Sequence, residues 1–188
     1  GTAGTNGWYR SAVQVALNPF DNASGVQAMF YKIDGGALLT YTTPFTVSTA
    51  GMHTVNFWSV DVAGNTEAQQ TLTVKIDSST PVITESVSPT QAGHGNKPLT
   101  VKISGTVTDT PSGVLTNGSV SYSVLDEYGV TQPSGGVTLQ SNGTYSFTLS
   151  LPATKNPGDN NGHLYTITIQ AVDQAGNVAT ASATVKIT

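Results

Sequence analysis

Three short strings occur twice in this chain, in the same order: D-x-x-S-G-V at 21–26 and 109–114, D-x-A-G-N at 61–65 and 173–177, and T-V-K-I at 73–76 and 184–187. A duplication of this kind means one structural unit built twice rather than a single large core. Each copy closes on T-V-K-I, so the boundary falls in DSSTP (77–81), whose Ser/Thr/Pro composition reads as a short linker. The expected units are 1–77 and 78–188.

Between the repeated strings, runs rich in β-branched and aromatic residues alternate with turn signals. SAVQVAL (11–17), VQAMFYKID (26–34), HTVNFWSVD (53–61) and TEAQQTLTVKI (66–76) occupy the first copy. TPVITESV (80–87), LTVKISGTVTD (99–109), GSVSYSVLD (118–126), GTYSFTLSL (143–151), LYTITIQAVD (164–173) and VATASATVKI (178–187) occupy the second. No window sustains a 3.6-residue period, so no long helix is predicted. Period-two alternation assigns faces: Val13, Val15 and Leu17 run in phase with Asp21, and Val101, Ile103 and Val107 with Asp109. In the penultimate strands His53, Val55 and Phe57 share the phase of Asp61, while Tyr165, Ile167, Ile169 and Ala171 share that of Asp173. One apolar face per strand is the pattern of two stacked sheets, so each unit is expected to be an all-β sandwich.

At 37% hydrophobic residues over 188 positions, two small cores are affordable but a membrane span is not. The chain has no cysteine, which excludes disulfides, thiol catalysis and thiolate metal sites. Charged residues make up only 10%, and the net charge of −4 leaves no basic footprint for nucleic acid or an anionic membrane. No signal peptide opens the chain, which reads as a mature or excised fragment. The second unit is longer through residues inserted after its third strand, among them PATKNPGDNNGH (152–163). The first has no strand ahead of SAVQV to match 82–87. Either that strand was cut off with the rest of a longer chain, or something else covers the edge, a strand lent by another subunit being one candidate.

The strings NGWYRSAVQVAL, DNASGV, YKIDGG, GMHTVNFWSVDVAGN and TVKID in the first unit, and VTDTPSGV and AVDQAGN in the second, resemble those of the bacterial immunoglobulin-like modules strung along large surface and secreted proteins. The resemblance spans nearly the whole chain, departing from the pattern at the missing front strand and the insertion at 127–163. It implies two tandem immunoglobulin-like β-sandwiches at an extracellular or cell-surface location, with neighbouring modules of the same or adjacent chains as partners. The function it implies is that of a non-catalytic spacer or assembly module. The alternative is an adhesin or carbohydrate-binding accessory module.

In such a fold D-x-A-G-N is the hairpin turn joining the last two strands. Gly64 and Gly176 are expected to supply positive φ, and Asn65 and Asn177 to complete the turn. Asp61 and Asp173 are expected to accept bonds from turn amides. The topology implied by the resemblance also puts the D-x-x-S-G-V loop at that same pole, where the chain enters the unit. Asp109 and Asp173 would then converge near linker Asp77, and Asp21 would meet Asp61 in the first unit. Carboxylates converging without basic partners suit a hard cation, so Ca²⁺ is the one cofactor considered, against simple turn bonding. GDNNG (158–162) lacks the downstream Glu of an EF-hand and reads as a flexible polar loop.

Phe30 and Trp58 fall out of phase with the apolar faces of their strands. Together they form either an outward aromatic surface suited to a sugar ring, such as a surface glycan, or a pair that covers itself and Lys32. Trp8 and Tyr9 read as the edge of the core. His53, His94 and His163 are scattered, the last two in Gly/Asn-rich loops, with no spacing that makes a metal triad. There is no G-x-S-x-G, H-E-x-x-H or phosphate loop, and adjacent Asp126 and Glu127 point apart, so no enzyme is expected. Lys102 and Lys186 alternate with core residues and face outward, which argues against an internal Lys–Asn crosslink. Asn22, Asn117 and Asn142 sit in N-x-S/T strings that read as loop composition.

Overall fold

A computed structural model of the chain describes residues 1–115 and 118–188; Asn117 lies outside the described residues. The chain divides into two units, Gly1–Ser78 and Ser79–Thr188.

The first unit contains β1 (Trp8–Tyr9), β2 (Val13–Val15), β3 (Val26–Ile33), β4 (Leu39–Thr40), β5 (Phe45–Val47), β6 (Gly51–Asp61) and β7 (Gln70–Ile76). One sheet has the order β1-β7-β6-β3-β4 and the other is the pair β2-β5. Between them lie Val13, Val15, Val47, Val55, Val74 and Ile76, with Tyr31, Phe45 and Phe57 packed at the margin. Tyr31 stacks on Phe45 with ring centroids 4.0 Å apart and so ties one sheet to the other. Strand β1 pairs parallel with β7, Trp8 opposite Lys75. Trp8 is buried beneath the Lys75 ammonium, 5.9 Å from its ring centroid, a core-edge position. The strand expected over 66–76 begins at Gln70, because Thr66 makes only an isolated bridge to Val60 after the turn.

The second unit contains β8 (Val82–Ser88), β9 (Gln91–Ala92), β10 (Leu99–Thr108), β11 (Val120–Asp126), β12 (Ser134–Gly136), β13 (Thr144–Leu151), β14 (His163–Val172) and β15 (Val178–Ile187). Its sheets are β13-β10-β8 and β12-β11-β14-β15-β9. Alternation along β14 buries Tyr165, Ile167, Ile169 and Ala171 completely, and they face Val101, Ile103, Tyr145 and Leu149 of the other sheet. The entering chain runs first on one sheet, β8 antiparallel to β10, and then crosses to the other, β9 parallel to β15. These pairings define an immunoglobulin-like sandwich. Lys102 and Lys186 are exposed, on the outer faces of their strands.

The two units differ in the neighbours of β2 and β10. In the second, β10 carries β13 on one side and β8 on the other. In the first, β2 carries β5 alone among the described residues, so its other edge keeps backbone groups with no strand beside them.

Candidate functional site

D-x-A-G-N forms the same turn twice. Asn65 N–H donates to Asp61 Oδ1 at 2.7 Å and the Asn65 side-chain amide to Asp61 Oδ2 at 2.8 Å. In the second unit, Asn177 N–H and Nδ2 donate to Asp173 Oδ1 and Oδ2, each at 2.8 Å. Gly64 and Gly176 take φ of +90° and +88°, where a Cβ would be strained. The bonds from Asn65 hold the Asp61 carboxyl below its ordinary range, since they stabilise its charged form.

D-x-x-S-G-V is likewise a repeated clamp. Asp21 Oδ2 accepts from Gly25 N–H at 2.6 Å and Ser24 Oγ at 3.3 Å. Asp109 Oδ2 accepts from Gly113 N–H at 2.9 Å and Ser112 Oγ at 3.1 Å. Both clamps lie beside the D-x-A-G-N turn of their own unit. Val62 N–H donates to Gly25 O in the first unit, and Val114 bridges Asp173 in the second. Asp21 and Asp61 therefore line one cleft with Ser59, Asn65 and Glu67. Asp109 and Asp173 each bring a carboxylate oxygen within 4.8 Å of the other. Val82 pairs with Thr108, and Ser79 Oγ donates to Thr110 O at 2.9 Å, so this is the end at which the chain enters the second unit. Asp77 closes the first unit, its N–H donating to Tyr9 O at 2.8 Å.

The opposite end of each unit holds a pair of residues that sequence reasoning missed. His53, near the start of β6, places Nδ1 2.8 Å from Asp34 Oδ2 and Nε2 2.8 Å from Thr49 O. His163 begins β14 rather than lying in a loop, and only 3% of it is exposed. Its Nε2 lies 2.9 Å from Asp126 Oδ1 and its Nδ1 2.7 Å from Thr154 O. The ring is held between Tyr128 and Tyr165, at centroid distances of 4.0 and 4.2 Å. Each unit thus joins an acid at the end of one strand, β3 or β11, to a histidine at or near the start of the penultimate strand paired with it. YKID and SVLD both end on Asp, but β6 opens on Gly51 and His163 follows a polar loop string, so no local pattern marks either pair. Both ring nitrogens are engaged in each case.

GDNNG is a polar loop that carries its own bonds. Asp159 Oδ1 accepts from Asn161 N–H at 3.0 Å and Gly162 N–H at 2.7 Å, and its other oxygen takes the Tyr128 hydroxyl. His94 N–H donates to Thr188 O, a backbone role at the end of β15. Phe30 and Trp58 face each other across β3 and β6, ring centroids 6.2 Å apart and both rings half-buried, on the face away from the core.

Fold and loops together define the class: an immunoglobulin-like β-sandwich module, made twice, with its repeated polar strings employed as turn clamps. No known protein family and no curated protein matches the chain. Solved structures that it is similar to include fibronectin(III)-like modules of Clostridium thermocellum CbhA, at 13% identity and TM-score 0.41, covering 98% of this chain and 90% of that one. The D00-D0 domain of intimin is similar at 12% identity and TM-score 0.41, covering 98% and 96%. PcdhgB3 EC1-4 is similar at 12% identity and TM-score 0.40, covering 95% of this chain and 49% of that one. The fold assignment rests on the strand pairing described above. No helix among the described residues is long and apolar enough to cross a membrane.

Proposed function

We propose that this chain is a non-catalytic spacer or assembly module of an extracellular or cell-surface bacterial protein, with neighbouring immunoglobulin-like modules as its partners. The observation that carries the reading is the use of the polar side chains. The carboxylates of Asp61 and Asp173 and both ring nitrogens of His53 and His163 are taken up by bonds to the loops and strands that shape each sandwich. The resemblance of the repeated strings to modules of bacterial surface proteins supports the location. A spacer must bear load, and single-molecule extension of the full chain tests this. Two abrupt unfolding steps are expected, releasing at most about 28 and 40 nm for the two spans at about 3.6 Å per residue. Gradual extension without discrete steps would count against it.

The Phe30/Trp58 pair supports the second reading, a carbohydrate-binding accessory module or adhesin, because both rings stand outside the core. Binding on a glycan array that vanishes in Trp58→Ala would favour it over the spacer. Calcium at the entrance of the second unit is proposed on the approach of Asp109 to Asp173, since paired carboxylates repel and a hard cation relieves this. A ligand that binds only the folded state raises its stability. Millimolar Ca²⁺ is therefore expected to raise the melting temperature of the chain but not of Asp173→Asn; no shift in the chain itself would leave these aspartates as turn clamps.

A further inference from the structure

In the second unit, alternation along β8 turns Ile83, Glu85 and Val87 toward the core. Ile83 and Val87 belong there. Glu85 does not: both of its carboxyl oxygens are buried and neither has a hydrogen-bond partner. Its opposite residue on β10 is Gly105, where even a Cβ would sit 1.9 Å from Thr84 O. The Tyr145 side chain crosses this gap from β13, and its hydroxyl donates to Thr84 O at 2.8 Å. At the middle of this edge strand Thr84 is tied by the Tyr145 hydroxyl and by its own hydroxyl to Thr106, beside an acid with nothing to neutralise it.

Among the described residues, those facing Glu85 provide no cation. From β10 the inward neighbours of Gly105 are Ile103 and Val107. From β15, which packs against β8, the inward row is Ala181, Ala183 and Val185, and from β14 it is Ile167 and Ile169. The titratable groups of these layers are Tyr145, bound to Thr84 O, and, further along β14, Tyr165 and His163, bound to Pro152 O and Asp126. Lys102 and Lys186 stand on the outer faces.

We propose that β8 is a pH-releasable strand: it stays on β10 while Glu85 is a neutral acid and peels from the sheet when Glu85 ionises. A carboxylate in this position has no partner, and outward movement of β8 is the direct route to water. The first unit shows that a sandwich of this kind closes without such a strand, since β2 carries only β5 among the described residues. Burial pushes the Glu85 carboxyl up to about 7, which places the change near neutrality. A folded-state value above the free one means that attachment is strongest below the ordinary carboxyl range of about 4.5 and weakens as pH rises through about 7.

Hydrogen exchange of the full chain at pH 5.5 and 8.5, corrected for intrinsic exchange, tests this. Protection of the Val82–Ser88 amides is expected to fall about tenfold relative to those of β15. Glu85→Gln cannot ionise, so its β8 should keep the same protection at both pH values. Tyr145→Phe removes the bond to Thr84 O without touching the acid; it should loosen β8 at both pH values and retain the pH dependence. An unchanged β8 in the parent chain, or an equal fall in Glu85→Gln, would overturn the proposal.

Discussion

A histidine with an oxygen on either side of its ring is a recurring device in this chain, and in the first unit its pH behaviour follows from its neighbours. The Asp34 carboxylate holds His53 above its ordinary 6.5, and His53 in turn holds Asp34 below its ordinary 3.8. The histidine's contribution to stability is fully present below about 6.5 and is lost as pH rises through the raised value. That of Asp34 is present above about 3.8 and is lost as pH falls through the lowered one. The clamp therefore acts between these limits. Between pH 6 and 8.5 the melting temperature of the first unit should fall by a few degrees, about 2–5 °C, and Asp34→Asn should flatten that slope. Calorimetry across this range checks it, and an equal slope in the variant would remove the clamp from the account.

At the scale of strands, close approach of backbone matters more than side-chain chemistry. Gly105 lets β10 pass Thr84 O and the Tyr145 hydroxyl where any Cβ would collide. Gly105→Ala should cost the second unit about 1–3 kcal/mol or more in urea denaturation, because the obstacle is backbone and cannot swing aside. Gly136→Ala, on β12 with open space around it, should lie within about 0.5 kcal/mol of the parent. The long strands were legible because alternation runs over seven or more residues, as in β14, and the paired turns because their strings repeat. Strands β1, β4 and β9 have two residues each, too few to show a period, and form only because a neighbouring strand presents its edge. His163 was misplaced in a loop because the polar string GDNNG leads into it. Its burial depends on Asp126, 37 positions earlier, and on two tyrosine rings, a contact that no local pattern encodes. Glu85 fell in phase with Ile83 and Val87, yet an acid on an apolar face becomes informative only once the opposite strand is seen to offer a glycine.

Across the whole chain the two units are unequal in the quantity that sets stability. Among the described residues the second core holds sixteen buried residues and the first six, the Val, Leu and Ile among them each worth roughly 1.5–3 kcal/mol when fully buried. The first unit also leaves one edge of β2 without a strand. Separate cores predict separate unfolding, with the first unit melting at the lower temperature. At about 0.7 kcal/mol per residue, spans of this size should give unfolding enthalpies near 55 and 75 kcal/mol, so calorimetry of the full chain should resolve a smaller transition below a larger one. Val55 and Ile169 are each completely buried, one in each core, which makes them the residues to test. Val55→Ala should lower only the first transition and Ile169→Ala, at about 2–5 kcal/mol, only the second. If both substitutions moved one common transition, the two cores would be a single cooperative structure, and neither unit would act as the independent mechanical element that a spacer requires.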